Sequence, residues 1–365
     1  MTDRNHLLIA LTKIPKVGPV VARNLISYCG SIEAVFEESR RNLMKIPGIG
    51  QGFIDLFDPK VALIEAEKEI RFIEKNEIKL ISYLDKDYPK RLSNFDNTPI
   101  VLYYKGNADL NHFRTVAIVG TRQPSAYGLG MCERIIDGLS HYNVLVVSGL
   151  AFGIDAAAHR KCVEMNITTI GILGHGLDRI YPSEHKTLSS KMITNGGVLT
   201  EFMSGTLPDR ENFPMRNKII AALSDVIVVV ESKRKGGSII TAEFGNEYNK
   251  DVFAVPGMVT DDISEGCNKL IKQNKAHLIE SAEDIAYIMR WEEIDAGRAI
   301  QKQLFVDLDE NEALMLNVIR DNKEIAIDSL TYKMQMTPSQ TASVLLGLEF
   351  KGMIRSLPGK KYTLS

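Results

Sequence analysis

Between Thr115 and Gly257, short runs of Val and Ile alternate with stretches of helical spacing, and this alternation constrains the fold more than any other feature of the chain. The runs are Val116 to Val119, Val144 to Val147, Thr168 to Leu173, Val198 to Thr200, Val226 to Val230 and Val252 to Val255. A strand apolar at nearly every position has both faces buried, and strands separated by helices pair in parallel through crossovers. The expected fold is α/β, with a Rossmann-like, doubly wound, mostly parallel sheet. Such sheets take their ligands beyond the carboxyl ends of the strands, so the residues that follow each run are the candidates for function.

The flanks differ in texture. Two similar hairpin signatures, Ile14-Pro15-Lys16-Val17-Gly18-Pro19 and Ile46-Pro47-Gly48-Ile49-Gly50-Gln51, each lead into an apolar helical stripe, as in a tandem helix-hairpin-helix or SAM-like domain. Their glycines allow tight turns that aim free amides at a phosphate. A compact helical packing unit explains the same pattern. After a helix near Val61 to Asn76, the segments Ile78 to Tyr83, Tyr88 to Leu92 and the strand-like Ile100 to Tyr104 read as a connector feeding the sheet. Beyond a polar linker, three helical stretches and a short hairpin from Asn311 to Tyr362 suggest a winged helix. Its second helix carries few cations, which favours partner contact or internal packing over duplex reading. The expected division is a helical domain over 1–76, the Rossmann-like domain with its connector over 77–290, a linker over 291–304 and the winged helix over 305–365.

The balance of 44 Lys and Arg against 46 Asp and Glu confines any nucleic-acid site to a local patch. The cysteines, Cys29, Cys132, Cys162 and Cys267, are widely separated, with no C-x-x-C pair and no grouping with His. That pattern fits reduced cytosolic thiols, with neither disulfide nor zinc. The first residues lack the basic-then-apolar layout of a signal peptide, and no apolar run approaches the roughly 20 residues of a membrane helix. A cytoplasmic protein is expected, without membrane attachment.

At the first strand end, Gly120-Thr121-Arg122 offers close backbone approach, a hydroxyl and a forked cation. At the second, Ser148, Gly149, Ala151 and Gly153 keep the loop close to a ligand, and Asp155 reads as the N-cap of the following helix. His159 either touches the ligand or satisfies a core contact. In the third loop, Asp178 and Arg179 are placed to pair with each other, and a lone His175 between glycines makes no metal site. The strongest set is Arg210, Phe213, Arg216, Asn217 and Lys218: Pro214 at the first position of a helix would leave Phe213 at an exposed lip, while burial of Phe213 as a core anchor is the competing reading. Finally Lys235, Gly237 and Ser238 lie in a basic glycine turn after a buried strand. Cations and amides satisfy phosphates, and an aromatic face stacks on any base, so the inferred ligand is single-stranded nucleic acid. G-x-G-x-x-G is absent at the first strand and G-x-x-x-x-G-K-[ST] is absent from the chain, which disfavours a dinucleotide enzyme and a helicase-type motor. No cofactor and no catalytic residue is assigned.

The motifs Ala117-Ile118-Val119-Gly120-Thr121-Arg122, Val147-Ser148-Gly149-Leu150-Ala151-Phe152-Gly153-Ile154-Asp155, Phe213-Pro214-Met215-Arg216-Asn217, Gly237-Ser238-Ile239-Ile240-Thr241-Ala242 and Phe253-Ala254-Val255-Pro256-Gly257, together with Leu173 through Pro182, resemble those of the DNA-processing protein A (Smf) family. The resemblance implies a bacterial cytosolic protein that binds and protects incoming single-stranded DNA during natural transformation and helps load the RecA recombinase. It also implies a homodimer built through the Rossmann-like domain. It assigns DNA contact to Gly120, Thr121, Arg122, Ser148, Gly149, Ala151 and Gly153, a phosphate to Arg210 and a stacked base to Phe213. The chain departs from the family pattern with His175 in place of a frequent cysteine, Glu243 in place of a common cation, and Asn274-Lys275-Ala276 without the usual glycine. The rival reading is a nucleotide phosphoribohydrolase on a related fold, faintly echoed by Gly236-Gly237, Thr241 and Glu243.

Overall fold

The computed structural model describes residues 4–293, 309–322, 324–351, 353–357 and 361–364. Two compact units divide the chain, Met1–Ile294 and Asp295–Ser365. Most of the expected linker and the first residues of the expected winged-helix segment, 294–308, lie outside the described residues.

The first unit is built on nine strands: β1 Lys79–Ser82, β2 Val101–Gly106, β3 Thr115–Val119, β4 Leu145–Ser148, β5 Thr169–Ile172, β6 Gly196–Thr200, β7 Val226–Val229, β8 Asp251–Ala254 and β9 His277–Leu278. They lie in the order β1-β2-β6-β5-β4-β3-β7-β8-β9. Pairing is parallel from β6 through β9, and β1 and β2 add on antiparallel. Of the segments read as a connector, Ile78 to Tyr83 and Ile100 to Tyr104 supply the strands β1 and β2, while Tyr88 to Leu92 leads into the short helix Lys90–Ser93. Tyr103 pairs with Thr200 and Tyr104 with Leu199, so this edge is fixed by a partner far away in the chain.

The continuous apolar runs work as expected of a two-faced sheet. Val116 and Ile118 pack into one core with Ile135, Ile136 and Ala158, while Ala117 and Val119 pack into the other with Ile219, Ile220 and Ala242. The helices Ala126–Leu139 and Ile154–Glu164 thus cover one face, and Asn212–Leu223 and Gly237–Glu247 cover the other. A third core joins the N-terminal helices to the sheet edge: Leu8, Leu25, Ile46 and Ala66 cluster with Ile100, Val101 and Tyr103. Both hairpins carry a left-handed residue at the equivalent position, Lys16 (φ 67°) and Gly48 (φ 84°), which supports reading them as a repeat.

The second unit contains the helices Glu310–Asn322, Ile327–Met334 and Pro338–Phe350 and a small sheet of β10 Ile325–Ala326, β11 Ile354–Leu357 and β12 Lys361–Leu364. Met315, Ile319, Leu330, Leu345 and Ile354 form its core, the arrangement of a winged helix. The helix Pro338–Phe350 contains neither Lys nor Arg.

Candidate nucleic-acid interface

Strand order reverses between β3 and β7: the chain leaves β3 toward β4, β5 and β6, then returns to β7 on the other side. The loops at that switch point separate, and a crevice opens at the carboxyl ends of the strands. Here it is a groove of about 650 Å³ whose lining includes Gly120, Thr121, Arg122, Ala151, Arg210, Phe213, Arg216, Asn217, Lys235, Gly237 and Ser238. Eleven residues named from the sequence thus converge on one cleft, together with Lys233 of the same basic turn, Ile240, and Pro208, which had not been singled out.

Two glycines near the cleft have a definite steric reason. A Cβ on Gly120 would stand 2.6 Å from Ile154, so this glycine lets the helix Ile154–Glu164 close on β3. Gly153 is left-handed (φ 80°), and a Cβ there would overlap the Thr121 carbonyl oxygen. Thr121 donates its amide to Glu231 O (2.7 Å), and its hydroxyl oxygen accepts from Gln123 N (3.2 Å), leaving the hydroxyl proton free. Glu231 is itself buried and accepts from the amide (2.9 Å) and hydroxyl (2.6 Å) of Ser125, tying β7 to the cap of the helix after β3. A lone acid closing the run Val228-Val229-Val230 was the sequence signal for it.

Arg122, Arg210, Lys233 and Lys235 are exposed, and none has an ion-pair partner among the described residues. Phe213 is half-buried beside two guanidinium groups, with its ring centroid 5.3 Å from Arg122 Cζ and 5.7 Å from Arg216 Cζ. Both readings of Phe213 are thus partly realised: one side of the ring packs near Gly174, yet the residue lines the groove. Its helix begins at Asn212 rather than Pro214, which puts Pro214 third, still within the first turn where an amide has no helical partner.

Three other assignments change. Ser148 is fully buried and donates its hydroxyl to Ile118 O at 2.6 Å, stitching β4 to β3, so it does not face the groove. Asp155 is not the N-cap: Gly153 holds that position, and the Asp155 carboxylate turns back to accept from Gly149 N (3.2 Å) and Ala151 N (3.4 Å). Arg216 is not a surface cation. It is 5% exposed, lies 3.8 Å from Asp155, donates Nη1 to Ile172 O (3.3 Å) and has no partner for its buried Nε. Burial pushes the Asp155 carboxyl up, opposed by Arg216 and by the amides of Ala151 and Gly149; burial also pulls the Arg216 guanidinium down, opposed by Asp155. A Cβ on Gly149 would overlap Arg216 Nη1, so that glycine is the passage for the arginine. Asn217 donates to Gly237 O (3.2 Å) and Ser238 donates to Ser232 Oγ (2.7 Å), both shaping the basic turn.

His159 proves to be a core residue, bonded through Nδ1 to Thr169 Oγ1 at 2.7 Å. His175 is buried within its own loop, Nδ1 against Gly176 O (2.9 Å) and Nε2 accepting from Tyr181 N (3.3 Å), and Asp178 pairs with Arg179 at 2.7 Å. Glu243 is exposed and is not among the groove-lining residues. No cluster of potential metal ligands occurs among the described residues. Nor is any of their helices long and apolar enough to cross a membrane.

With this geometry in view, the comparisons with known proteins agree with one another. A family model described as DNA recombination-mediator protein A matches residues 79–290. The chain belongs to that family. A SAM-like helix-hairpin-helix tandem model matches residues 8–51, and a DprA winged-helix model matches 307–360. The chain is 35% identical to protein Smf of Synechocystis over 280 residues, covering 75% of this chain and 69% of that one. It is 42% identical to DNA processing protein DprA of Streptococcus pneumoniae over 204 residues, covering 56% and 72%. The crystal structure of DNA processing protein A from Streptococcus pneumoniae superimposes with a TM-score of 0.67 at 33% identity, covering 80% of this chain and 99% of that one. A structure of the Helicobacter pylori protein, described for its single-stranded DNA binding mode, gives 0.54 at 26% identity, covering 59% and 98%. The groove described above lies in the matched 79–290 segment.

Proposed function

We propose that this protein binds single-stranded DNA in the groove at the β3/β7 switch point, protects incoming strands during natural transformation and helps load a RecA-type recombinase on them. The observation that carries the reading is the placement of four unpaired cations, Arg122, Arg210, Lys233 and Lys235, around the half-buried ring of Phe213. The cations suit a run of phosphates, and a ring between them suits unstacked bases, which a duplex does not offer. Gly120, Thr121, Ala151, Asn217, Gly237 and Ser238 shape the walls. Gly149, Gly153 and Ser148 act one layer below, by packing. The single-stranded DNA binding described for the Helicobacter pylori relative supports the ligand.

The protein works in the cytoplasm as a homodimer without a catalytic role; family membership supports the recombinase step, and an exposed sheet edge at β9 supports a twin subunit. The division into 1–76, 77–290, 291–304 and 305–365 keeps DNA contact within the second segment. Fluorescence anisotropy with a labelled oligonucleotide, competed by unlabelled single strands or duplex of the same sequence, tests the reading. Single strands should compete at least tenfold better. Equal competition, or release of free base from nucleoside monophosphates, would refute it, the latter in favour of the phosphoribohydrolase.

A further inference from the structure

The loop after β4 already holds an anion. Leu150 is left-handed (φ 54°), and the amides on either side of it, Gly149 and Ala151, donate to one oxygen, Asp155 Oδ2, at 3.2 and 3.4 Å. Amides converging around a left-handed residue form the concavity in which proteins hold phosphate. This one lies at a strand's carboxyl end and against the first turn of the 11-residue helix Ile154–Glu164, where nucleotide-binding sheets seat phosphates. The second element is a cation. Arg216 is 5% exposed, stands 3.8 Å from the same oxygen and keeps a buried Nε donor with no partner among the described residues. Two amide donors and a guanidinium charge close by, around one carboxylate oxygen, are the parts of an oxyanion site, and all three favour the charged form of whatever occupies it.

We infer that this is a phosphate site filled by the chain's own Asp155, and that Asp155 thereby decides which phosphates the groove accepts. The inference rests on the reading of the groove as a DNA site. A free phosphate or terminal phosphomonoester, which would seek the deepest cation and the amide concavity, finds a carboxylate there and is repelled. Internal phosphodiesters need only the cations at the rim, Arg122, Arg210, Lys233 and Lys235, which Asp155 leaves unpaired. The groove therefore selects polymer over mononucleotide, although its floor has the parts of a mononucleotide site.

The test is thermal unfolding of the full chain titrated with inorganic phosphate, against chloride at equal ionic strength. The parent should show no phosphate-specific shift. Asp155→Ala leaves Arg216 buried and unpaired, so it should melt lower, and phosphate should raise its Tm saturably by several degrees as it binds the folded state. The double variant Asp155→Ala/Arg216→Met removes both charges, so it should fold and lose the phosphate response. The inference is overturned if phosphate moves Asp155→Ala no more than the parent, or moves the double variant equally. It is likewise overturned if Asp155→Ala fails to fold even in phosphate while the double variant folds, since Asp155 would then only balance the Arg216 charge. Oligonucleotide binding by the parent is read separately, so failure of the DNA reading would show there while the phosphate titration still reports on the site.

Discussion

Arg210→Ala isolates the electrostatic part of binding from the rest of the fold. Arg210 is exposed, lines the groove and makes no ion pair or hydrogen bond that its removal would break, so folding stability should be unchanged within about 0.5 kcal/mol. The rim carries four such unpaired cations. Each neutralised phosphate of a single strand contributes about −0.7 to the slope of log K against log salt, so the parent slope should be about −2.8 and that of Arg210→Ala about −2.1. Loss of one charge-assisted contact, about 1.5–3 kcal/mol, should weaken binding about 10–150-fold at fixed salt. The assay is anisotropy of a labelled oligothymidylate from low to high potassium chloride, on proteins matched for melting temperature. A variant that weakens binding while keeping the parental slope would refute the assignment of a phosphate to Arg210.

Phe213→Ala should cost a similar ~1–3 kcal/mol of affinity through lost stacking while leaving the salt slope alone; because the ring is half-buried, its Tm should fall less than the 3–5 kcal/mol typical of a fully buried Phe would imply. Ser148→Ala should leave affinity unchanged and lower stability by about 1–3 kcal/mol, since it strands the Ile118 carbonyl; a chemical-denaturation series beside the binding assay separates the two. His159 makes one contribution to the pH dependence, opposed below pH 7 by Glu201, whose carboxyl burial pushes up to about 7. Thr169 gives its hydroxyl proton to Val146 O (3.0 Å), so His159 donates from Nδ1 and its buried Nε2 stays bare; burial, with His185, Arg216 and Arg160 nearby, pulls its pKa down to about 3. The folded state refuses a proton that the unfolded chain takes up near 6.5, so this contribution to stability is complete above that pH. It then falls toward pH 3 by up to about 1.4 kcal/mol per unit. His159→Gln should flatten that slope between pH 7 and 5, and an unchanged slope would show that other groups cause it. Light scattering at micromolar concentration should return twice 40.7 kDa, and a monomer mass would contradict the dimer.

The central strands were legible because burial on both faces leaves a purely local mark, the unbroken Val and Ile runs. Ile100 to Tyr104 read as strand-like for the same reason, but its antiparallel place beside β6 was not legible, because that partner is distant in the chain: nothing near Tyr103 announces Thr200. The cleft was legible because parallel strands deliver every loop to one end, so residues from four loops met as expected. Individual roles inside it were not. Asp155 after a glycine looks the same in sequence whether it caps a helix or accepts from a preceding loop; what decides is Arg216, delivered by another helix through the gap at Gly149. Ser148 looked like a ligand residue for its small neighbours, but the pleat turns its hydroxyl toward β3. Arg216 and Arg210 read alike as cations, and only the helix register, which buries one and leaves the other on the preceding loop, separates them.

Ultraviolet cross-linking of the full chain to oligothymidylate, with the modified peptides identified by mass spectrometry, bears most directly on where the strand lies. The groove at the β3/β7 switch point predicts cross-links on the peptide that contains Phe213 and on the loops around Arg122 and Lys233 to Ser238, all abolished by competing single strands. Cross-links confined to the hairpins of residues 1–76 or to the winged helix, with the Phe213 peptide unmodified, would contradict it.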